Sequence, residues 1–302
     1  MTHSTQPSGD RAVASVPGAG AGGESAPLVT PMAWAPWRQA TPARIALGRA
    51  GVALPTDAAL RFGCDHALAR DAIHTALDLA ALRAQIAALG LPVLQARSCA
   101  SDRATYLRRP DLGRQLHADD AQALRALAAQ RAQSGAAPPD LALVLGDGLS
   151  ALALQRHALP MLQALLPRLP VGHALAPVVI VEQARVAVAD AIAEALGARQ
   201  AVIFIGERPG LSSPDSLGLY LTQAPRSGRT DAERNCISNV RPAGLSYAAA
   251  AHKLGWLMQQ AQRLGYSGVA LKDGSDSVPD ALDPASCAGP GLAWGAAPAT
   301  SG

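Results

Sequence analysis

Three short apolar runs constrain this chain more than any other feature: residues 141–145 (LALVL), 178–181 (VVIV) and 202–205 (VIFI). None alternates with polar residues, so each reads as a strand buried on both faces, as in a parallel sheet. Patterns of helical period fill the intervals, at 151–166 and 187–196. A further helix is expected at 247–263, capped by Ser246, with Ala250, Leu254, Leu257 and Ala261 facing inward. A last short strand is expected at 269–271. Strands and helices alternating at this spacing make βαβ units. The fold class is therefore α/β: a Rossmann-like, mostly parallel sheet domain at 138–273, preceded by a smaller helical domain.

That helical domain is assigned to 41–137. Thr56 can cap a helix in which Leu60, Cys64, Ala67, Leu68 and Ile73 recur near the 3.6-residue period. A second helical pattern covers 81–89, stopped by Gly90 and Pro92, and a third starts around Asp119. Residues 1–40 and 274–302 are rich in Gly, Ala, Ser and Pro without any hydrophobic period, and read as disordered tails.

Charge and cysteine usage narrow the function. The net charge is +3, and the densest basic patch, Arg103, Arg108, Arg109 and Arg114, is diluted by Asp102 and Asp111. A nucleic-acid footprint needs a denser cluster on one face. Cys64, Cys99, Cys236 and Cys287 form no CxxC pair, and the start has no apolar leader pattern. Both fit a cytoplasmic protein with free thiols.

Two strings imitate a dinucleotide fingerprint. GAGAGG at 18–23 has no strand before it and no helix after it. The turn Gly146, Asp147, Gly148, Leu149, Ser150, Ala151 has the right context, between a strand and a helix, and supports an alternative reading as an NAD(P)-binding oxidoreductase. Against it, Asp147 would bring a carboxylate close to a pyrophosphate. The next strand-ending acid, Glu182, also lies further on than the spacing of about 20 residues the motif requires.

The stretch 201–239 is more informative. Its strand breaks into Gly206, Glu207, Arg208, Pro209 and Gly210, and a polar turn, NCIS, holds Cys236. Open α/β sheets place ligands at such strand ends, and the two glycines permit close backbone approach. Glu207 would accept hydrogen bonds from amides or hydroxyls. No histidine falls in an HExxH or HxxxH pattern, and Cys236 has no obvious base. The sequence shows no triad, metal cluster or Walker loop, so no catalytic or metal-binding residue is assigned.

GERPGLSSPDSLG at 206–218, DAERNCISNVRPAGLSY at 231–247, QARVAVAD at 183–190, DRATYLRRPDLGRQL at 102–116, GDGLSALA at 146–153 and HALARDAIH at 66–74 together resemble the small (light) subunit of ethanolamine ammonia-lyase. The resemblance covers about 41–273. It implies an adenosylcobalamin-dependent enzyme, made of large and small subunits, that turns ethanolamine into acetaldehyde and ammonia. The large subunit would carry the radical chemistry, and the small one would hold the cobalamin at the subunit interface. The cobalamin-binding positions it implies are Val186, at the opening of the helix after the second strand, Glu207 and Cys236. The DxHxxG signature is missing, so the cofactor is expected to keep its own dimethylbenzimidazole ligand. Some relatives begin with an amphipathic helix that directs them to a microcompartment. Residues 1–40 show no such pattern, and a free cytoplasmic enzyme is expected.

Overall fold

The computed structural model of the protein describes residues 27–277. The string at 18–23 and most of both expected tails lie outside them. The described residues divide into two compact units, which part between Leu60 and Arg61. Within the first, Thr30 pairs with Arg49 and residues Ala35–Gln39 form a 3-10 turn.

Helix α1 (Thr56–His74) leads into α2 (Leu79–Ala87), whose Asp78 cap accepts from Ala81 N at 2.9 Å. On α1 only Ala69 and Ala72 are buried, whereas Leu60, Phe62 and Leu68 are exposed. The helix expected from Thr56 is therefore present, and the apolar residues that recur along it are largely exposed. Strand β1 (Val93–Arg97) falls in the stretch that the sequence marked as helical. Next come α3 (Arg103–Arg108), capped by Asp102, and α4 (Ala118–Gln133).

The alternating part then runs β2 (Leu141–Gly146), α5 (Ala151–Leu165), β3 (Val178–Glu182), α6 (Val188–Leu196) and β4 (Gln200–Gly206). It closes with β5 (Leu217–Gln223), β6 (Arg234–Val240) and α7 (Tyr247–Leu264). The six strands form one sheet in the order β1-β3-β2-β4-β5-β6. The first four in that order are parallel, and β5 and β6 are antiparallel additions.

Two features differ from the sequence reading. The NCIS segment is strand rather than turn. Arg234, Ile237 and Val240 are buried, and an irregular register between Leu217 and Leu219 accommodates the polar residues between them. Residues 269–271 form a turn instead of a strand. The Asn235 side chain accepts from Gly268 N and donates to the carbonyls of Gly268 and Leu271, curling the segment beside β6.

Burial on both faces explains the uninterrupted apolar runs. Leu143, Leu145, Ile180, Val202 and Phe204 pack under α5 and α7 with Leu154, Met161, Leu254 and Leu257. Ala142, Val144, Val179, Val181, Ile203 and Ile205 pack under α6, with Leu124 of α4. Each such buried Val, Leu, Ile, Met or Phe side chain contributes about 1.5–3 kcal/mol. Helix α6 stops at Gly197, whose left-handed φ of 69° lets its N–H return to the Ala193 carbonyl. A right-handed route from β2 to β3 on one side, then from β3 to β4 on the other, puts α5 and α6 on opposite faces. Their exits open a crevice at the carboxyl ends of the strands.

Candidate functional site

A concavity of about 460 Å³ occupies this edge, lined by Tyr106, Gly148, Leu149, Arg185, Val186, Ile205, Gly206, Glu207, Arg208, Tyr220 and Ser238. Its floor is a crossing of two backbones. Gly206, at the end of β4, accepts from Leu149 N at 2.9 Å through its carbonyl. A Cβ on Gly206 would lie 2.0 Å from the Ser150 carbonyl, and one on Gly148, at φ +58°, would lie 2.1 Å from the Gly206 carbonyl. Only glycine fits at either position. Ser150 caps α5 through Ala153 N and donates its hydroxyl to the Pro214 carbonyl at 2.9 Å. The main chain of β4 therefore lies where a dinucleotide pyrophosphate would need to sit, which weighs against the oxidoreductase alternative.

The crevice between β2 and β3 is filled by the protein itself. Asp147 is buried, and its Oδ1 accepts from Ala184 N at 2.9 Å. Burial pushes its carboxyl up to about 6, against the opposing pull of that amide and of Arg103, whose Nη1 lies 3.6 Å away. Arg103 also donates to the carbonyls of Ile73 and Gly148, each at 2.7 Å. Tyr106, fully buried on α3, stands between two guanidinium groups, with Arg103 at 4.8 Å and Arg185 at 4.3 Å from its ring centre. Its hydroxyl donates to the Ala184 carbonyl at 2.9 Å. Between β3 and Ala184, Gln183 holds a left-handed φ of 55°, a costly conformation for a residue that is not glycine.

The three residues marked in the sequence converge on one region. Val186 lies in the turn two residues before α6 rather than opening the helix. Its carbonyl accepts from Ala189 N at 3.2 Å, and its own N–H has no acceptor among the described residues. Glu207 follows β4 directly. Its Oε2 accepts from the Ser216 hydroxyl at 2.5 Å, and Asn239 N approaches both carboxylate oxygens at 3.3–3.4 Å. Gly218 leaves the room this needs, since a Cβ there would be 2.9 Å from Oε1. Among the described residues Glu207 makes no ion pair with Arg208. Cys236 does not line the cleft but stands beside it, opposite Tyr220 across the β5–β6 register. Cys236 is exposed as a residue, but partial burial of its sulfur raises the thiol, the Tyr220 hydroxyl counters this, and the Glu207 charge adds to the rise. Cys236 is therefore a neutral thiol, not an activated nucleophile.

Sequence reasoning missed Tyr106, Arg185, Tyr220 and Ser238. Arg185 lies inside QARVAVAD and Tyr106 inside DRATYLRR, but nothing in a linear string shows that α3 folds back over the α6 entrance. The basic patch also separates: Arg103 turns inward, whereas Arg109 pairs with Asp111 on the surface at 2.7 Å. Among the described residues no group of three or more His, Cys, Asp or Glu could hold a metal ion, and no helix is long and apolar enough to cross a membrane.

Fold and cleft together define the class: a Rossmann-like α/β protein with a polar, glycine-floored cleft at the carboxyl edge of its parallel strands. The family described as ethanolamine ammonia-lyase light chain (EutC) matches residues 31–272. The chain is 61% identical over 241 residues to the ethanolamine ammonia-lyase small subunit of Azotobacter vinelandii, covering 80% of this chain and 88% of that one. It is 58% identical to the corresponding protein of Ralstonia nicotianae, over 82% of this chain and 91% of that one. The similarity to the Xanthomonas campestris small subunit is 53% over 88% and 97%. The chain belongs to the ethanolamine ammonia-lyase small-subunit family.

Proposed function

We propose that this chain works as the small subunit of ethanolamine ammonia-lyase, a carbon–nitrogen lyase that converts ethanolamine to acetaldehyde and ammonia. In this reading its cleft holds adenosylcobalamin against the large subunit, which carries substrate and catalysis. The observation that supports it best is the pairing of Glu207 and Val186 in one glycine-floored cleft at the strand ends.

The residues fit the group. A corrin ring is rimmed by amide side chains, which need both acceptors and donors. Glu207, braced from behind by Ser216 and Asn239, offers carboxylate lone pairs, and Val186 offers a free N–H. Buried polar atoms of Gln183, Arg103 and Arg185 also lack partners around this wall. Bound adenosylcobalamin supplies the homolysis of its own cobalt–carbon bond; this chain binds, orients and excludes water. Cys236 and Ser238, both exposed on β6, continue the wall beyond Tyr220. Working in the cytoplasm rather than a microcompartment belongs to the same proposal, although its sequence basis at 1–40 lies mostly outside the described residues.

Reconstitution tests this reading. Ammonia release from ethanolamine should require this chain, a large subunit and adenosylcobalamin together. Turnover of NADH by the isolated chain would refute it. Within the complex, Glu207→Ala should weaken cobalamin binding by about 1–3 kcal/mol. An unchanged affinity would reduce Glu207 to a brace for Ser216 and Asn239.

A further inference from the structure

We infer that Arg185 and the N-terminal turn of α6 form an anion seat for the phosphodiester of the cobalamin nucleotide loop. The assignment rests on the cleft reading above and gives it a polarity. Of the charged side chains lining the cleft, Arg185 and Arg208 are cationic and Glu207 is anionic. Among the described residues neither arginine forms an ion pair with a carboxylate, unlike Arg97, Arg109, Arg156 and Arg199 elsewhere on the surface.

Arg208 is exposed, whereas Arg185 is half-buried and fixed. Its guanidinium lies 4.3 Å from the Tyr106 ring centre, and its backbone N–H donates to the Gly113 carbonyl at 2.8 Å. Gly113 is what lets the stem lie down there, since a Cβ at that position would be 2.9 Å from Arg185 Cγ. Among the described residues the one acceptor for the guanidinium is the Tyr106 carbonyl at 3.5 Å, a weak contact, and the buried Nε has none. A half-buried, preoriented guanidinium with a buried, unpaired Nε and no anion is an incomplete arrangement. The next two residues lead into α6, where the Val186 N–H is free and the helix dipole favours negative charge. Glu207, across the cleft, repels an anion and accepts amides instead. One wall thus reads the phosphodiester and the other the amide rim.

The test uses the assembled complex of both subunits and spectroscopic titration with cyanocobalamin, with dicyanocobinamide, which lacks the nucleotide loop, and with inorganic phosphate as competitor. Arg185→Met should weaken cyanocobalamin binding roughly 10- to 100-fold, while cobinamide binding changes less than about threefold. Arg185→Lys, which keeps the charge, should recover part of the loss and covers the case in which the methionine variant fails to assemble. Cyanocobalamin affinity of the wild-type complex should also fall with salt more steeply than cobinamide affinity. Equal weakening of both corrinoids, or of neither, overturns the seat. Competition by millimolar phosphate without any change in corrinoid discrimination on Arg185→Met would make the seat one for free phosphate and overturn its link to the cofactor. If Glu207→Ala weakens both corrinoids and Arg185→Met affects neither, only the seat fails; if neither substitution matters, the cleft reading fails with it.

Discussion

Asp147 offers the most quantitative check on how this edge of the sheet is built. Two effects oppose each other at its carboxyl: burial, which favours the neutral acid, and Arg103, which favours the anion. At 3.6 Å Arg103 is beyond good hydrogen-bond contact with Oδ2, and burial wins, lifting the group from 3.8 to about 6. A group that binds its proton more tightly when folded stabilises the fold at low pH and loses that contribution as pH rises through its folded value. A rise of this size corresponds to about 3 kcal/mol, lost between about pH 4 and pH 6. In Asp147→Asn the side-chain oxygen can still accept from Ala184 N, and Arg103 keeps its bonds to the Ile73 and Gly148 carbonyls. Only the titration disappears. Urea unfolding of wild type and variant across pH 4 to 7 isolates it, since other groups cancel in the difference. The variant should gain about 3 kcal/mol relative to wild type over that range. A flat difference, or one of opposite sign, would mean that Arg103 governs the carboxyl and that it is ionised throughout.

Glycines of the same chain should respond in opposite directions. Gly206→Ala places a methyl 2.0 Å from the Ser150 carbonyl and should cost about 3 kcal/mol or more in denaturant unfolding. Gly255→Ala in α7 meets nothing within 4 Å and should raise stability by about 0.5–1 kcal/mol. Asp190→Ala leaves the Arg234 guanidinium buried beside β6 without its principal partner, and should cost about 3–5 kcal/mol in the same assay. The double variant with Arg234→Met should recover part of that loss, because no charge then remains buried.

The central parallel strands β2, β3 and β4 were legible because their burial leaves no room for polar residues, whereas β1, a parallel edge strand in which only Ala96 is buried, was not. Nor was β6, because it is an edge strand with exposed positions. Its buried residues, Arg234, Ile237 and Val240, are three apart rather than two, and one of them is an arginine whose charge is met by Asp190 on α6. Period-2 reasoning finds no strand there. Helix α1 was legible as a helix from its spacing, yet Leu60 and Leu68 on it are exposed. Spacing says that residues share a face, not what the face meets. At the site, Glu207 was accessible from the sequence because a charge placed directly after a buried strand has few positions to occupy. Tyr106 and Arg185 needed the tertiary fold, since 78 residues separate the Tyr106 hydroxyl from the Ala184 carbonyl it reaches.

The cover of the sheet bears on why such a chain would hold a cofactor without transforming it. On the α6 side, helical packing reaches Arg234, tied to Asp190, and Cys236 and Ser238 on the same strand are open to solvent. The cleft therefore has a floor of crossed backbone and one rigid wall, made of Tyr106, Arg185 and Val186. Its other flank runs out along Tyr220 to the exposed edge strand. Homolytic chemistry needs water excluded from every side, and a wall open along one flank cannot do this alone. A second surface laid over β6 would close it, and the same act would bury Cys236. This links two otherwise separate properties of the proposed subunit. Assembly with a larger partner and tight retention of the cofactor become one event, so a substitution of Cys236 by a bulky charged residue should weaken both together.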